Sequence, residues 1–85
     1  MYLDYSRSFK KDYRKLSKKL KIQFSSRAEI FKTNQFAEIL NNHAVHHPYE
    51  GCRSINITGD IRALYETTQN TFLFIRIGTH SELYD

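Results

Sequence analysis

Cysteine, proline and methionine each occur once in this 85-residue chain, and glycine occurs three times. A single thiol, Cys52, excludes an intramolecular disulfide framework and fits a reducing compartment. It lies in an apolar-alternating run, the setting of a packed thiol rather than a nucleophile. The scattered glycines form no Gly-rich phosphate loop and no Gly-x-Ser-x-Gly elbow. No Pro- or Ser-rich linker and no internal repeat divides the chain, so residues 1–85 are expected to form a single domain around one core. Long apolar runs are also missing, which excludes a membrane-spanning helix and a secretory signal; a cytoplasmic protein with no membrane partner is expected. A domain of this size buries roughly 60–65% of its unfolded surface, so a tightly bound partner would add needed stability.

Basic charge is plentiful but unevenly placed. Residues 1–32 carry ten Lys and Arg against three Asp and Glu, a local net of +7, whereas residues 33–85 carry three against six, a net of −3. All four histidines fall in that second part. The basic part suits a polyanion such as RNA, or an acidic protein partner.

The pattern along the chain predicts an α+β domain of order β-α-α-β-β-β, with two N-terminal helices packed on one face of a small, mostly antiparallel sheet. Residues 2–5 read as a first strand, and Ser6 as a helix N-cap. Phe9, Tyr13, Leu16 and Leu20 then mark one helical face; Leu20, Phe24, Ala28 and Phe31 mark a second, with the break near residues 18–21. Residues 33–50 read as a connection with a short helical turn over 36–40. In 53–58, Ile55 and Ile57 alternate with Ser54, Asn56 and Thr58; a turn at Thr58-Gly59 returns the chain as a strand over 60–66. A second turn at 68–70 leads to an apolar strand over 71–77. The sheet face turned away from the helices is left for function.

Several residues on that framework can carry chemistry. His80 stands at the end of the last strand, and its imidazole changes charge near neutral pH, as a general acid or base requires; a surface histidine is the plainer alternative. Asp60 either caps the hairpin turn or takes a proton from an attacking hydroxyl. Arg53, Arg62 and Arg76 come from three different strands, either solvated or gathered to grip a phosphate through paired donors. Tyr84 either frays at the chain end or stacks on a base. His43, His46 and His47 form a His-x-x-His-His cluster, but a zinc site needs further ligands, no Cys or Glu stands at a useful spacing, and Pro48 interrupts the segment. Neither a metal nor a cofactor is expected; proton transfer by one of these histidines is the better functional reading.

Three segments together resemble a known family: Asn-His-Ala at 42–44, Gly-Cys-Arg-Ser-Ile-Asn-Ile-Thr-Gly-Asp-Ile-Arg at 51–62, and Ile-Gly-Thr-His-Ser-Glu-Leu-Tyr at 77–84. With the Phe-Lys-Lys-Asp-Tyr-x-Lys-Leu helix at 9–16 they resemble the RelE/ParE toxin superfamily over essentially the whole length, and within it the YafQ-type mRNA interferases. The resemblance implies a RelE-like fold and a ribosome-dependent endoribonuclease of a type II toxin–antitoxin system. Such an enzyme cuts messenger RNA without a metal by attack of the 2′-hydroxyl on the adjacent phosphate. It implies His80 as proton donor to the leaving 5′-oxygen, Asp60 and His43 as the other acid/base positions, Arg76 on the phosphate, and Tyr84 orienting the RNA; Arg53, Asn56 and Arg62 are assigned to substrate binding. The implied partners are a cognate antitoxin, the ribosome with its mRNA, and operator DNA reached through the antitoxin in a hetero-oligomer. Two positions depart: the best-studied YafQ-type enzymes carry a histidine where Asn56 stands and an acid where Ser54 stands. Asn56 hydrogen-bonds but accepts no proton at neutral pH, which leaves the base role to His43 or Asp60. Two other readings use the same scaffold: a non-catalytic ParE-like toxin that binds a protein target such as DNA gyrase, and a degenerate antitoxin-binding toxin.

Overall fold

A computed structural model describes residues 2–84. Strand β1 (Tyr2–Tyr5) leads into helices α1 (Arg7–Arg14) and α2 (Lys18–Thr33), then a 3-10 turn (Glu38–Leu40) and a short strand β2 (His43–Ala44). Strands β3 (Arg53–Asn56), β4 (Ile61–Thr68) and β5 (Thr71–Thr79) follow, and helix α3 (His80–Tyr84) closes the described chain. The sheet has five strands in the order β1-β5-β4-β3-β2. Only β1 and β5 run parallel; the other neighbours are antiparallel. The α+β architecture with two helices before the sheet is the one the periodicity predicts, with β2 and α3 as additions.

The starts of α1 and α2 are each capped by a serine. The Ser6 hydroxyl accepts from the Phe9 N–H at 3.0 Å, and the Ser17 hydroxyl from the Leu20 N–H at 3.2 Å. Each cap satisfies one of the orphan donors of a first helical turn. The break therefore falls at residues 15–17, ahead of the predicted 18–21, and Leu20 belongs to α2 alone.

Phe9, Phe24, Ala28 and Phe31 from the helices meet Ile55, Ile61, Ala63, Tyr65, Phe72, Phe74 and Ile77 from the sheet, and Ile57 from the β3–β4 connection, in the main core. Phe31 meets Tyr65 and Phe72 edge-on at 4.9 Å each. Each buried Phe or Ile side chain contributes about 1.5–3 kcal/mol on burial, and the edge-on rings add to this. The opposite sheet face is not bare. Val45, Cys52, Leu64 and Leu83 form a second, smaller core there, with Tyr49, Ile75 and Tyr84 packed against it. The loop after β2 and helix α3 thus fold over part of the face that the sequence left open.

An irregularity in β5 decides which way Arg76 points. Leu64 pairs with Arg76, but Tyr65 pairs with Phe74, so Ile75 is an extra residue. A β-bulge of this kind shifts the alternation by one and re-aims the side chains beyond it. Without it Arg76 would share the face of Phe72 and Phe74; with it, Ile77 returns to the main core and Arg76 turns to the other face.

Candidate active site

Directly paired residues of an antiparallel ladder share a face. On the face away from α1 and α2, one row reads His43–Ser54–Leu64–Arg76 across β2, β3, β4 and β5. The next reads Asn56–Arg62–Gly78. Asp60 and His80 are the next residues beyond the Ile61–Thr79 pair that ends the β4–β5 ladder, and both are exposed.

His80 opens helix α3 rather than ending a strand. The Thr79 hydroxyl accepts from the Glu82 N–H at 3.1 Å, and the Glu82 carboxylate accepts from the Thr79 N–H at 2.8 Å, a reciprocal capping box. The glycine before it gives this carboxylate room: a β-carbon on Gly78 would lie 3.0 Å from the Glu82 Oε1 and press on the capping box. One helical turn on, Tyr84 lies beside His80 with ring centroids 4.7 Å apart, and it meets Tyr49 edge-on at 5.5 Å. Tyr84 is therefore docked, not frayed. Burial, with Tyr49 nearby, raises its phenol above the ordinary value, and Arg62 opposes that shift. A phenol held protonated is suited to stacking or donating a hydrogen bond, not to accepting a proton.

Arg76 is the most tightly held cation of the face. Its Nε donates to Asp12 Oδ2 at 2.7 Å and its Nη2 to Asp12 Oδ1 at 3.3 Å, while Nη1 donates to the Tyr49 hydroxyl at 3.1 Å. The Asp12 bond is the main cause that raises Arg76 above its usual range. Asp12 also accepts from the Ile77 N–H at 3.1 Å, so α1 closes the edge of β5 where β1 stops. A guanidinium has five N–H donors; these three bonds leave one donor on each terminal nitrogen free for a ligand. Arg62 is anchored differently, with Nη1 donating to Asn56 Oδ1 at 3.0 Å and Nη2 to the Gly59 carbonyl at 3.4 Å. Its Nε and the hydroxyl of Ser54 are buried without a hydrogen-bond partner among the described residues.

His43 stands on the edge strand, exposed, with Nδ1 2.8 Å from the Asn41 carbonyl. A carbonyl only accepts, so in the neutral ring Nδ1 carries the proton and Nε2 is left with its lone pair. Asn41 has the left-handed backbone (φ 46°) that turns this carbonyl back on the ring. The next residue, Asn42, fixes the segment from below by donating to the buried Tyr65 hydroxyl at 2.7 Å and to the Gln35 carbonyl at 2.8 Å. Three strand spacings separate His43 from Arg76, or about 14 Å between backbones.

Arg53 does not join this group. It pairs with Ala44 and Tyr65, donates from Nε to Asn42 Oδ1 at 2.7 Å, and lies over the Phe36 ring. Its partners are on the helix side, where it supports the segment before His43. His46 and His47 are exposed, with His47 3.5 Å from Glu50. Among the described residues no three His, Cys, Asp or Glu side chains come together. Asp12, Tyr49 and Glu82 are site-shaping residues that sequence reasoning missed; of these only Glu82 left a signal, the Thr-x-x-Glu spacing at 79–82. A groove of about 480 Å³ between β1, α1 and α2, lined by Tyr5, Phe9, Tyr13 and Phe24, lies on the helix side and holds none of these groups.

Burial raises the Cys52 thiol, with Glu66 adding to the shift, and burial likewise raises Tyr5. In each, as in Tyr84, the native state favours the neutral form. The unfolded chain ionises first, so stability is fully present below the unfolded values, about 8.5 for a thiol and 10 for a phenol, and is lost as pH rises through the raised native ones. Thermal melts from pH 7 to 10.5 should show a falling midpoint above about pH 8.5, and the Cys52→Ala form a shallower fall. A flat profile would contradict the burial of these groups.

Several solved structures share this fold. YafQ from E. coli strain BL21(DE3) superposes with a TM-score of 0.74 at 22% identity, covering 98% of this chain and 97% of that one. A YoeB/ParE toxin from Agrobacterium tumefaciens gives 0.78 at 19% identity, covering 94% and 99%. The E. coli DinJ–YafQ complex gives 0.72 at 23% identity over 98% and 97%. No curated protein matches the chain significantly in sequence. At these identities the likeness defines the fold, which is that of the RelE/ParE-type toxins. The sequence model for the bacterial toxin of type II toxin–antitoxin system, YafQ, matches residues 1–85, and the chain belongs to that family.

Proposed function

We propose that residues 1–85 act as one toxin domain that cleaves messenger RNA on the ribosome, without a metal, by acid/base catalysis. The observation that carries this reading is the shared sheet face: the rows His43–Ser54–Leu64–Arg76 and Asn56–Arg62–Gly78 lie on it, and Asp60 and His80 follow where the β4–β5 ladder ends. In-line attack puts the nucleophile and the leaving group on opposite sides of phosphorus, so base and acid belong on opposite sides of the bound phosphate. The 2′-hydroxyl gives its proton to His43 Nε2, or to Asp60, as the oxygen bonds to phosphorus. The P–O5′ bond breaks and His80 supplies the proton to the 5′-oxygen, leaving a 2′,3′-cyclic phosphate and a 5′-hydroxyl. The free donors of Arg76, with Arg62, offset the extra charge of the phosphorane. Tyr84 stacks on a base. Asn56 orients Arg62 rather than moving a proton.

The cations of α1 and α2 contact ribosomal RNA, a mainly electrostatic and salt-sensitive interaction. A cognate antitoxin, acidic or partly disordered, covers the toxin in the resting complex, as DinJ accompanies YafQ in E. coli. The resulting hetero-oligomer reaches operator DNA through the antitoxin, and the cytoplasm is where these partners meet.

Primer extension tests the reading. Messenger RNA programmed into ribosomes should acquire sharp new 5′ ends when the protein is added, and the same RNA without ribosomes should stay intact. Absence of cuts from folded protein, with growth arrest still seen on expression, would replace the nuclease with a ParE-like toxin acting on a protein target.

A further inference from the structure

Tyr49 belongs to no motif of the chain, yet it connects three parts of the site. Its hydroxyl accepts from Arg76 Nη1 at 3.1 Å and donates to the Leu83 carbonyl at 2.7 Å. Its ring meets Tyr84 edge-on and packs against the small core of Val45, Cys52, Leu64 and Leu83. The hydroxyl's donor is therefore spent on the last turn of α3 and an acceptor site on the phosphate-facing arginine. α3 has five residues, too short to hold itself by its own helical bonds. Besides the capping box, its anchors among the described residues are the Leu83 and Tyr84 side chains and this one hydroxyl. Arg76, in turn, is fixed by Asp12 from the α1 side and by Tyr49 from the α3 side.

We infer that Tyr49 is a positioning residue: one hydroxyl sets the Arg76 guanidinium and the helix that carries His80 and Tyr84 in a common frame. The inference rests on the nuclease reading for its effect on rate, but the tie itself is independent of it. Tyr49 touches no reacting atom. Its removal should leave ribosome binding, which depends on the cations of α1 and α2, nearly unchanged and should slow the chemical step.

Tyr49→Phe keeps the ring and deletes the hydroxyl. Single-turnover cleavage at saturating ribosomes should fall about tenfold to a hundredfold, the range expected when a hydrogen bond to a charged group is lost. The ribosome concentration for half-maximal rate should change by less than about twofold, since uniform binding is untouched. In an Arg76→Ala background the same substitution should cost markedly less, because residues acting as a unit are not additive. Backbone amide exchange in residues 81–84 should accelerate relative to β5. An unchanged rate, or additive losses with Arg76→Ala, would overturn the positioning role. Unchanged exchange in α3 would overturn the tie whether or not the protein cuts RNA. An intact protein that cuts nothing would instead sink the nuclease reading and the rate role with it, leaving exchange to decide the tie.

Discussion

Replacing His80 by alanine is expected to slow ribosome-dependent cleavage by about 10²–10⁴-fold, the usual contribution of a positioned general acid or base. The leaving 5′-oxygen departs poorly as an alkoxide. Among the described residues no other imidazole lies at this end of the β4–β5 ladder, where the other titratable groups are Asp60 of the turn and Glu82 and Tyr84 of α3. The loss belongs to the chemistry, not to the fold. The cap of α3 is made by Thr79 and Glu82, and its anchor by Leu83, so the exposed imidazole contributes little to structure. What the substitution does remove is the contact with the Tyr84 ring, worth about 0.5–1.5 kcal/mol at most. Urea denaturation should thus shift little while the single-turnover rate collapses. A rate within threefold of the parent would remove His80 from the mechanism; a rate loss matched by a large loss of stability would make it structural.

How much of this could be read from the residues depends on what kind of force placed them. The helices were legible because Phe9, Tyr13, Phe24 and Phe31 repeat at helical spacing and all face the core. Their junction was not, because Leu16 and Leu20 continue the same four-residue step across the Ser17 cap. The bulge at Ile75 was invisible for a related reason: a run of apolar residues has no alternation to break. β2 is two residues long, and a strand of that length has no period.

For the site, residue chemistry singled out His80, Arg62, Arg76 and Tyr84, and packing brings them to one face. Arg53 shares their charge and a strand setting, but its parity with Ile55 is a signal that assigns it to the helix side. Asp12 and Tyr49 left none. Each is a polar residue on an ordinary helix face or loop, and its role exists only once the bulge turns Arg76 towards it.

Asp12→Ala should be the most destabilising single change at the site. The carboxylate takes two charge-assisted bonds from Arg76 and one from the Ile77 N–H. Breaking a fully buried pair costs about 3–5 kcal/mol, but here Arg76 and Asp12 keep 29% and 15% side-chain exposure, which admits water to the orphaned groups. Adding the unpartnered backbone donor of β5, a loss of about 2–3 kcal/mol is expected. For a domain of this length that lowers the melting midpoint by roughly 10–20 °C. Removing both partners should be milder than the sum of the single changes, because Asp12→Ala with Arg76→Ala leaves no uncompensated cation; the coupling should be about 1–2 kcal/mol. Urea titrations of the four forms measure it directly. A loss under about 0.5 kcal/mol for Asp12→Ala, with additive singles, would mean that solvent replaces the carboxylate at no cost. Arg76 would then be held by Tyr49 alone, and the effect of Tyr49→Phe on the cleavage rate should rise accordingly.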